Sequence, residues 1–175
     1  MSKKIIIISG KQFCGKDTLA KLIRETYPNF KRIGLGDAIK IEYGEQKGLT
    51  FEEIEQNKPM YRADLQALGN LRRTQDVDYW IKKTISLPDD IIVPDVRVQR
   101  EYDYFKSANA FKIRVNASKE VRSKRGTLAA ENDITETALD QITDWDLVIN
   151  NNGTYEELIE NSQKALTEIK EYFAL

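Results

Sequence analysis

Apolar residues fall into short, well-separated runs. Ile5 to Ile8 is an unbroken β-branched run between Lys4 and Ser9-Gly10, and it predicts a short buried parallel strand. Further strands are predicted near Arg32 to Gly34 and over Ile91 to Val93, Phe111 to Val115 and Asp146 to Ile149. Between them the period changes to helical. Leu19, Ala20, Leu22 and Ile23 share one face of a helix from Lys16 to about Thr26, closed by Pro28. Helices are also expected over about Asp37 to Gln46, Phe51 to Gln56, Met60 to Leu68, Tyr79 to Ile85, Val98 to Ser107 and Thr154 to Phe173. Ser118 to Arg125 is polar and basic, and Ala129 to Gln141 lacks strong periodicity and reads as a polar loop. Strands alternating with helices predict an α/β fold, a central parallel sheet of about five strands flanked by helices. There is no repeat, low-complexity tract or linker, so residues 1–175 are expected to form a single domain with helical insertions.

Composition narrows the chemistry. The 175 residues carry 27 basic and 28 acidic side chains, a balance that gives no reason to expect a nucleic-acid polymer or an anionic membrane as partner. The 41% apolar and 31% charged fractions are those of a soluble globular chain. A lone cysteine, Cys14, excludes an intrachain disulfide and a thiolate zinc cluster and suits a cytoplasmic setting. The absence of histidine excludes a Ser-His-Asp triad, histidine zinc sites and histidine general bases. The apolar run after Met1-Ser2-Lys3-Lys4 is too short for a signal-peptide core or a membrane span.

Gly10-Lys11-Gln12-Phe13-Cys14-Gly15-Lys16 has the spacing G-x-x-x-x-G-K between a predicted strand and a predicted helix. In that context the glycines let backbone N–H groups turn inward around phosphate oxygens, and the helix N-terminus adds its dipole. Lys16 is expected to reach the β- and γ-phosphates of ATP. The position that usually carries a magnesium-binding hydroxyl is Asp17, with Thr18 next. Either oxygen donor suits Mg²⁺, and a first-turn acid is also favoured by the helix dipole. Cys14 lies where a helix N-terminus and a lysine can activate a thiol.

Gly15-Lys16-Asp17-Thr18 resembles two families in which aspartate follows the loop lysine: phage-type deoxynucleoside monophosphate kinases and animal-type phosphomevalonate kinases. Leu65-Gln66-Ala67-Leu68-Gly69, Asp78-Tyr79-Trp80-Ile81, Pro94-Asp95-Val96-Arg97, Ile134-Thr135-Glu136 and Asp146 to Gly153 with Glu156-Glu157-Leu158 are similar to the first. Gly48-Leu49 with Phe51, Asp95 with Arg97, and Arg122 to Gly126 are similar to the second. Both families carry more basic residues in the loop than this chain, which has Lys11 followed by Gln12-Phe13-Cys14.

The resemblance implies a P-loop kinase fold with a helical acceptor-binding region at about 37–86 and a short lid at about 118–139. It implies transfer of the γ-phosphoryl of Mg·ATP to the phosphate of a small acceptor, a (deoxy)nucleoside monophosphate or phosphomevalonate. It leaves monomer and homodimer open. Gly10, Lys11, Cys14, Gly15, Lys16, Asp17 and Thr18 belong to the ATP site, with Asn151 and Gly153 on its adenine side. Asp95, at a strand end, is a candidate for holding Mg²⁺ or orienting the acceptor, and Arg97 for binding the acceptor phosphate. Arg122 and Arg125, in the lid, are candidates for neutralising the transferring group. Asp37, Lys40, Arg62, Gln66 and Arg73 are acceptor-side candidates, with Arg72 as a weaker one. Tyr61, Tyr79 and Trp80 are candidates for stacking on a base, but aromatics at helical spacing are more often core. A GTPase switch is excluded, because Asn57-Lys58-Pro59-Met60 lacks the aspartate of the guanine motif. A nucleotide-binding module without transfer is the remaining alternative.

Overall fold

The computed structural model describes residues 3–175, which divide into two compact units. The first unit comprises residues 3–32 and Asp89–Leu175, and the second Ile33–Pro88.

In the first unit β1 (Ile5–Ser9), β2 (Phe30–Arg32), β3 (Asp90–Val93), β4 (Phe111–Asn116) and β5 (Leu147–Asn150) form one sheet ordered β2-β3-β1-β4-β5. Every pairing is parallel. The central β1 pairs through Ile7 with Val93 on one side and Lys112 on the other. All its residues are buried, which explains an apolar run with no alternation. The outer β5 does alternate: Leu147 and Ile149 are buried while Val148 is exposed. Along β4, Phe111, Ile113 and Val115 join the core formed with α1 (Lys16–Thr26) and α9 (Tyr155–Phe173). That core also takes Leu19 and Ile23 from α1 and Leu158, Leu166 and Ile169 from α9. Lys112 and Arg114, at the intervening positions of β4, lie on the opposite face of the sheet. Truncating one such core aliphatic costs about 2–5 kcal/mol. α6 (Gln99–Ser107) connects β3 to β4 and buries Tyr102 and Phe105.

The second unit is α2 (Leu35–Lys47), α3 (Phe51–Gln56), α4 (Lys58–Gln75) and α5 (Tyr79–Ser86). Tyr43, Ile54 and Leu65 form its core. The Glu42 carboxylate, 4% exposed as a residue, accepts from Arg72 Nε at 2.7 Å and from the Tyr79 hydroxyl at 2.7 Å.

Three elements depart from expectation. The second strand is Phe30–Arg32 rather than Arg32 to Gly34, because Phe30 is the residue that enters the core. α4 runs straight through Gly69 to Gln75. Gly69 is buried, its carbonyl accepts from Trp80 Nε1 at 3.0 Å, and a Cβ there would lie 3.2 Å from Ile39 Cδ1. The glycine therefore serves close packing rather than helix termination. Finally, the polar segment contains two short helices, α7 (Lys119–Arg125) and α8 (Ile134–Thr137), capped by the side chains of Ser118 and Asp133. Among the described residues no helix is long and apolar enough to cross a membrane.

Candidate active site

The loop between β1 and α1 is shaped from both ends and from below. Gly10 and Gly15 adopt φ of 149° and 104°. A Cβ at Gly15 would lie 2.4 Å from Asn151 Nδ2, so both backbone conformation and space demand glycine there. Cys14 is fully buried in the sheet core beneath the loop. Its carbonyl accepts from Asn151 Nδ2 at 2.9 Å, which ties the loop to the end of β5. This burial packs Cys14 into the core, with its Sγ 3.8 Å from Lys16 Nζ. Asn151, expected on the adenine side, spends its amide bracing the loop.

Lys16 is 7% exposed, and its Nζ donates to the carbonyls of Gly10 at 2.6 Å and Lys11 at 2.8 Å. Burial is the largest influence on its pKa and pushes it below the usual lysine value.

A cavity of about 580 Å³ opens above the loop and brings together Lys16, Asp17, Thr18, Asp95, Arg97 and Arg125. It lies beyond the carboxyl ends of β1 and β3, the region where parallel sheets bind ligands. Two further cations line the same space: Arg32, which the sequence reading did not single out, and Arg125, expected there from the lid segment. Arg32, at the end of β2, donates from Nη2 to Asp17 Oδ1 at 2.9 Å. Arg125 donates from Nη2 to the Gly153 carbonyl at 3.1 Å and to Asn151 Oδ1 at 3.4 Å. Asp17, Thr18 and Asp95 are hard oxygen donors of the kind Mg²⁺ takes together with phosphate and water. Among the described residues no cluster of three potential ligands forms a cage for a metal.

Arg97 is held by a residue that periodicity did not single out. Glu136, in α8, accepts from Arg97 Nη1 at 2.8 Å through Oε1 and from the Gln12 N–H at 2.9 Å through Oε2. No signal beyond the family-like Ile134-Thr135-Glu136 could have found it, since it stands in an aperiodic polar stretch.

Lys11 and Arg122 are not among the residues that line the loop cavity, although Arg122 Nη1 donates to the loop carbonyl of Gln12 at 3.5 Å. Lys11 Nζ pairs with Asp140 at 2.8 Å, and both Lys11 and Arg122 line a second cavity of about 700 Å³ with Arg114, Trp145 and Val148. Arg114 and Val148 place that cavity on the sheet face opposite the α1–α9 core. Arg122 is 4% exposed and pairs through Nη2 with Glu131 at 2.9 Å, while its Nε has no hydrogen-bond partner. Of the two lid arginines expected at the phosphates, only Arg125 lines the loop cavity here, because Arg122 is drawn inward by Glu131.

In the helical unit Asp37 accepts from the Gly34 N–H at 2.8 Å and so caps α2. Lys40 pairs with Asp37 at 2.8 Å and Glu55 at 2.5 Å. Arg62, Gln66 and Arg73 occupy one exposed stripe of α4, and none of these described side chains makes a hydrogen bond or ion pair. Arg72 is instead engaged by Glu42. Trp80 is 3% exposed and packs in the interior, while Tyr79, half-buried, donates to Glu42 and lies beneath the Arg72 guanidinium. Tyr61 packs against Tyr43 with ring centroids 5.8 Å apart.

Phe13 is strained. Its φ is 58°, and a Cβ on Gly126, at the end of α7, would lie 2.3 Å from its ring. Phe13→Gly is expected to relieve about 1 kcal/mol of left-handed strain and raise Tm by a few degrees. Gly126→Ala should lower Tm in the wild-type chain and be tolerated beside Phe13→Gly. Equal losses in the two backgrounds, followed by circular dichroism, would show that the ring is not the obstacle.

Comparison with known proteins places this geometry. The family model described as phosphomevalonate kinase matches residues 8–111, and that described as deoxynucleotide monophosphate kinase matches residues 62–162. A phosphomevalonate kinase of Drosophila melanogaster is 27% identical over 166 residues, covering 85% of this chain and 88% of that one. In fold the chain is similar to a shikimate kinase of Aquifex aeolicus vf5, with a TM-score of 0.54 at 16% identity over 93% of this chain and 96% of that one. It is also similar to a gluconokinase of Sinorhizobium meliloti 1021, with a TM-score of 0.55 at 14% identity over 98% and 95%. The phosphate loop, its parallel sheet and the two family matches agree, and the chain belongs to the P-loop kinases described by the phosphomevalonate kinase and deoxynucleotide monophosphate kinase families.

Proposed function

We propose that this kinase uses Mg·ATP to phosphorylate a (deoxy)nucleoside monophosphate, giving the diphosphate. One observation carries the choice of acceptor: the exposed stripe of α4, within the deoxynucleotide monophosphate kinase match, carries Arg62 and, one turn on, Gln66. A cation suits a phosphate, and an amide that both donates and accepts suits the edge of a base. Arg73, further along the stripe, adds a second cation.

On the donor side Lys16 and the loop N–H groups hold the β- and γ-phosphates, and Arg97 and Arg125 supply charge to the group in flight. Asp17, Thr18 and Asp95 are the residues assigned to magnesium. Held there, the ion would offset the charge of the phosphates during transfer. An acceptor phosphate is already ionised at neutral pH, so positioning and charge stabilisation suffice and no histidine base is required. The cytoplasm, with its ATP and reducing conditions, is the setting assigned to it.

A second reading, phosphomevalonate as acceptor, is favoured by the Drosophila relative and by the match over residues 8–111. The burial of Trp80, which removes one stacking surface, points the same way. ADP release from Mg·ATP with a panel of deoxy- and ribonucleoside monophosphates and phosphomevalonate decides between them. Turnover with a nucleoside monophosphate is expected. Turnover confined to phosphomevalonate overturns the nucleotide reading and leaves the phosphotransferase intact.

A further inference from the structure

We infer that Glu136 is a positioning residue for phosphoryl transfer, acting through Arg97 and the phosphate loop. The inference rests on the phosphotransferase reading but not on the identity of the acceptor.

The Glu136 side chain is 2% exposed, whereas the Arg97 side chain is 38% exposed. A carboxylate this far from water needs partners for both oxygens. Each oxygen has one: Oε1 takes Arg97 Nη1 and Oε2 takes the Gln12 N–H. One rigid group thus spans two elements of the site, the loop after β1 and the segment after β3. The backbone N–H of Arg97 is fixed separately, donating to Glu101 Oε2 at 2.8 Å. The residue is therefore held at its backbone and at one end of its guanidinium, and it lines the cavity together with Lys16, Asp17 and Asp95. A planar guanidinium anchored through one nitrogen presents the others in a set direction. That is the arrangement required of a donor meant to meet a phosphate without reorganising first.

The charge matters as well as the shape. Glutamine in place of Glu136 carries one acceptor and one donor, and both partners here are donors. Glu136→Gln must therefore break one of the two bonds and leave Arg97 or the loop unheld, with side-chain volume nearly unchanged. Glu136→Asp keeps the charge but, one methylene shorter, cannot reach both partners equally.

Two readouts test this. First, kinetics with the acceptor that turns over in the panel: Glu136→Gln should lower kcat about 10²-fold with KM for ATP changed by less than about threefold, and Arg97→Ala should do the same. In the double variant the losses should not multiply, because the glutamate acts through the arginine. Glu136→Asp should recover part of the loss. Second, and independent of turnover, titration of inorganic phosphate in the presence of Mg·ADP, followed by the Arg97 Nε–H resonance. Wild type should show a discrete, phosphate-sensitive signal. Glu136→Gln should broaden it and weaken phosphate binding about tenfold. Multiplicative kinetic losses, or tighter phosphate binding in Glu136→Gln, overturn the proposal; the latter result would make the carboxylate a competitor for the phosphate position. Failure of every acceptor in the panel, with phosphate binding still weakened by Glu136→Gln, would fault the reading of the reaction and not the role of Glu136. If Glu136→Gln does not fold, Glu136→Asp carries the same titration.

Discussion

Lys16→Met is expected to lower kcat about 10³-fold or more while leaving the fold intact. The ammonium of Lys16 is the cation at the centre of the loop, held by the carbonyls of Gly10 and Lys11. A methionine of similar length fills the space but offers no charge to a phosphate. Because burial lowers the pKa of Lys16 below 10.5, the unfolded chain binds more protons than the folded one between the folded pKa and 10.5. This group's contribution to stability therefore improves as pH rises through that window. Cys14, Glu136 and Asp17 pull the pKa up and Arg97 pushes it down, but burial outweighs them. The wild type should thus gain on Lys16→Met in thermal stability as pH goes from 8 to 10.5. Phosphates entering the loop favour the charged ammonium, so ATP binding at alkaline pH should take up protons. Calorimetry in two buffers of different ionisation enthalpy measures this, and the uptake should vanish in Lys16→Met. An unchanged proton count in the variant would assign the coupling to another group.

The second large effect separates two arginines three residues apart. Arg125→Ala should lower kcat about 10²–10³-fold with little change in Tm. Its guanidinium lines the loop cavity on an exposed residue and holds only the Gly153 carbonyl and Asn151 Oδ1. Such bonds are readily exchanged for a phosphate. Arg122→Ala should behave in the opposite way, losing about 1–3 kcal/mol of stability with a smaller direct effect on the chemical step. That side chain is 5% exposed, and its removal leaves Glu131 with Lys119 alone. Rate and thermal denaturation measured on both variants decide the matter. A rate loss in Arg122→Ala as large as that of Arg125→Ala, with Tm unchanged, would make Arg122 the charge stabiliser and require it to leave Glu131 during turnover.

These two residues also show where sequence reasoning stops. The strand run Ile5 to Ile8, the spacing from Gly10 to Lys16 and the helix from Lys16 were legible because each rests on a local property. β-branched residues suit a strand buried on both faces, and glycine alone tolerates the backbone angles of the loop. The central parallel sheet followed from the alternation of such segments. Side-chain direction did not follow. Lys11 and Lys16 are both loop lysines, yet Asp140 draws the first toward the opposite sheet face and two loop carbonyls hold the second beneath the cavity. Cys14 and Asn151, read as site residues, also brace the loop from below, through burial and a bond between segments distant in sequence. Glu136 was all but invisible, since an acid in an aperiodic stretch carries no period to read. Local backbone preference and hydrophobic period, which depend on a residue and its near neighbours, determined the elements and the phosphate loop. Which charges meet in the cavity was decided only in three dimensions, because the energy of a buried charge depends on partners brought to it by folding.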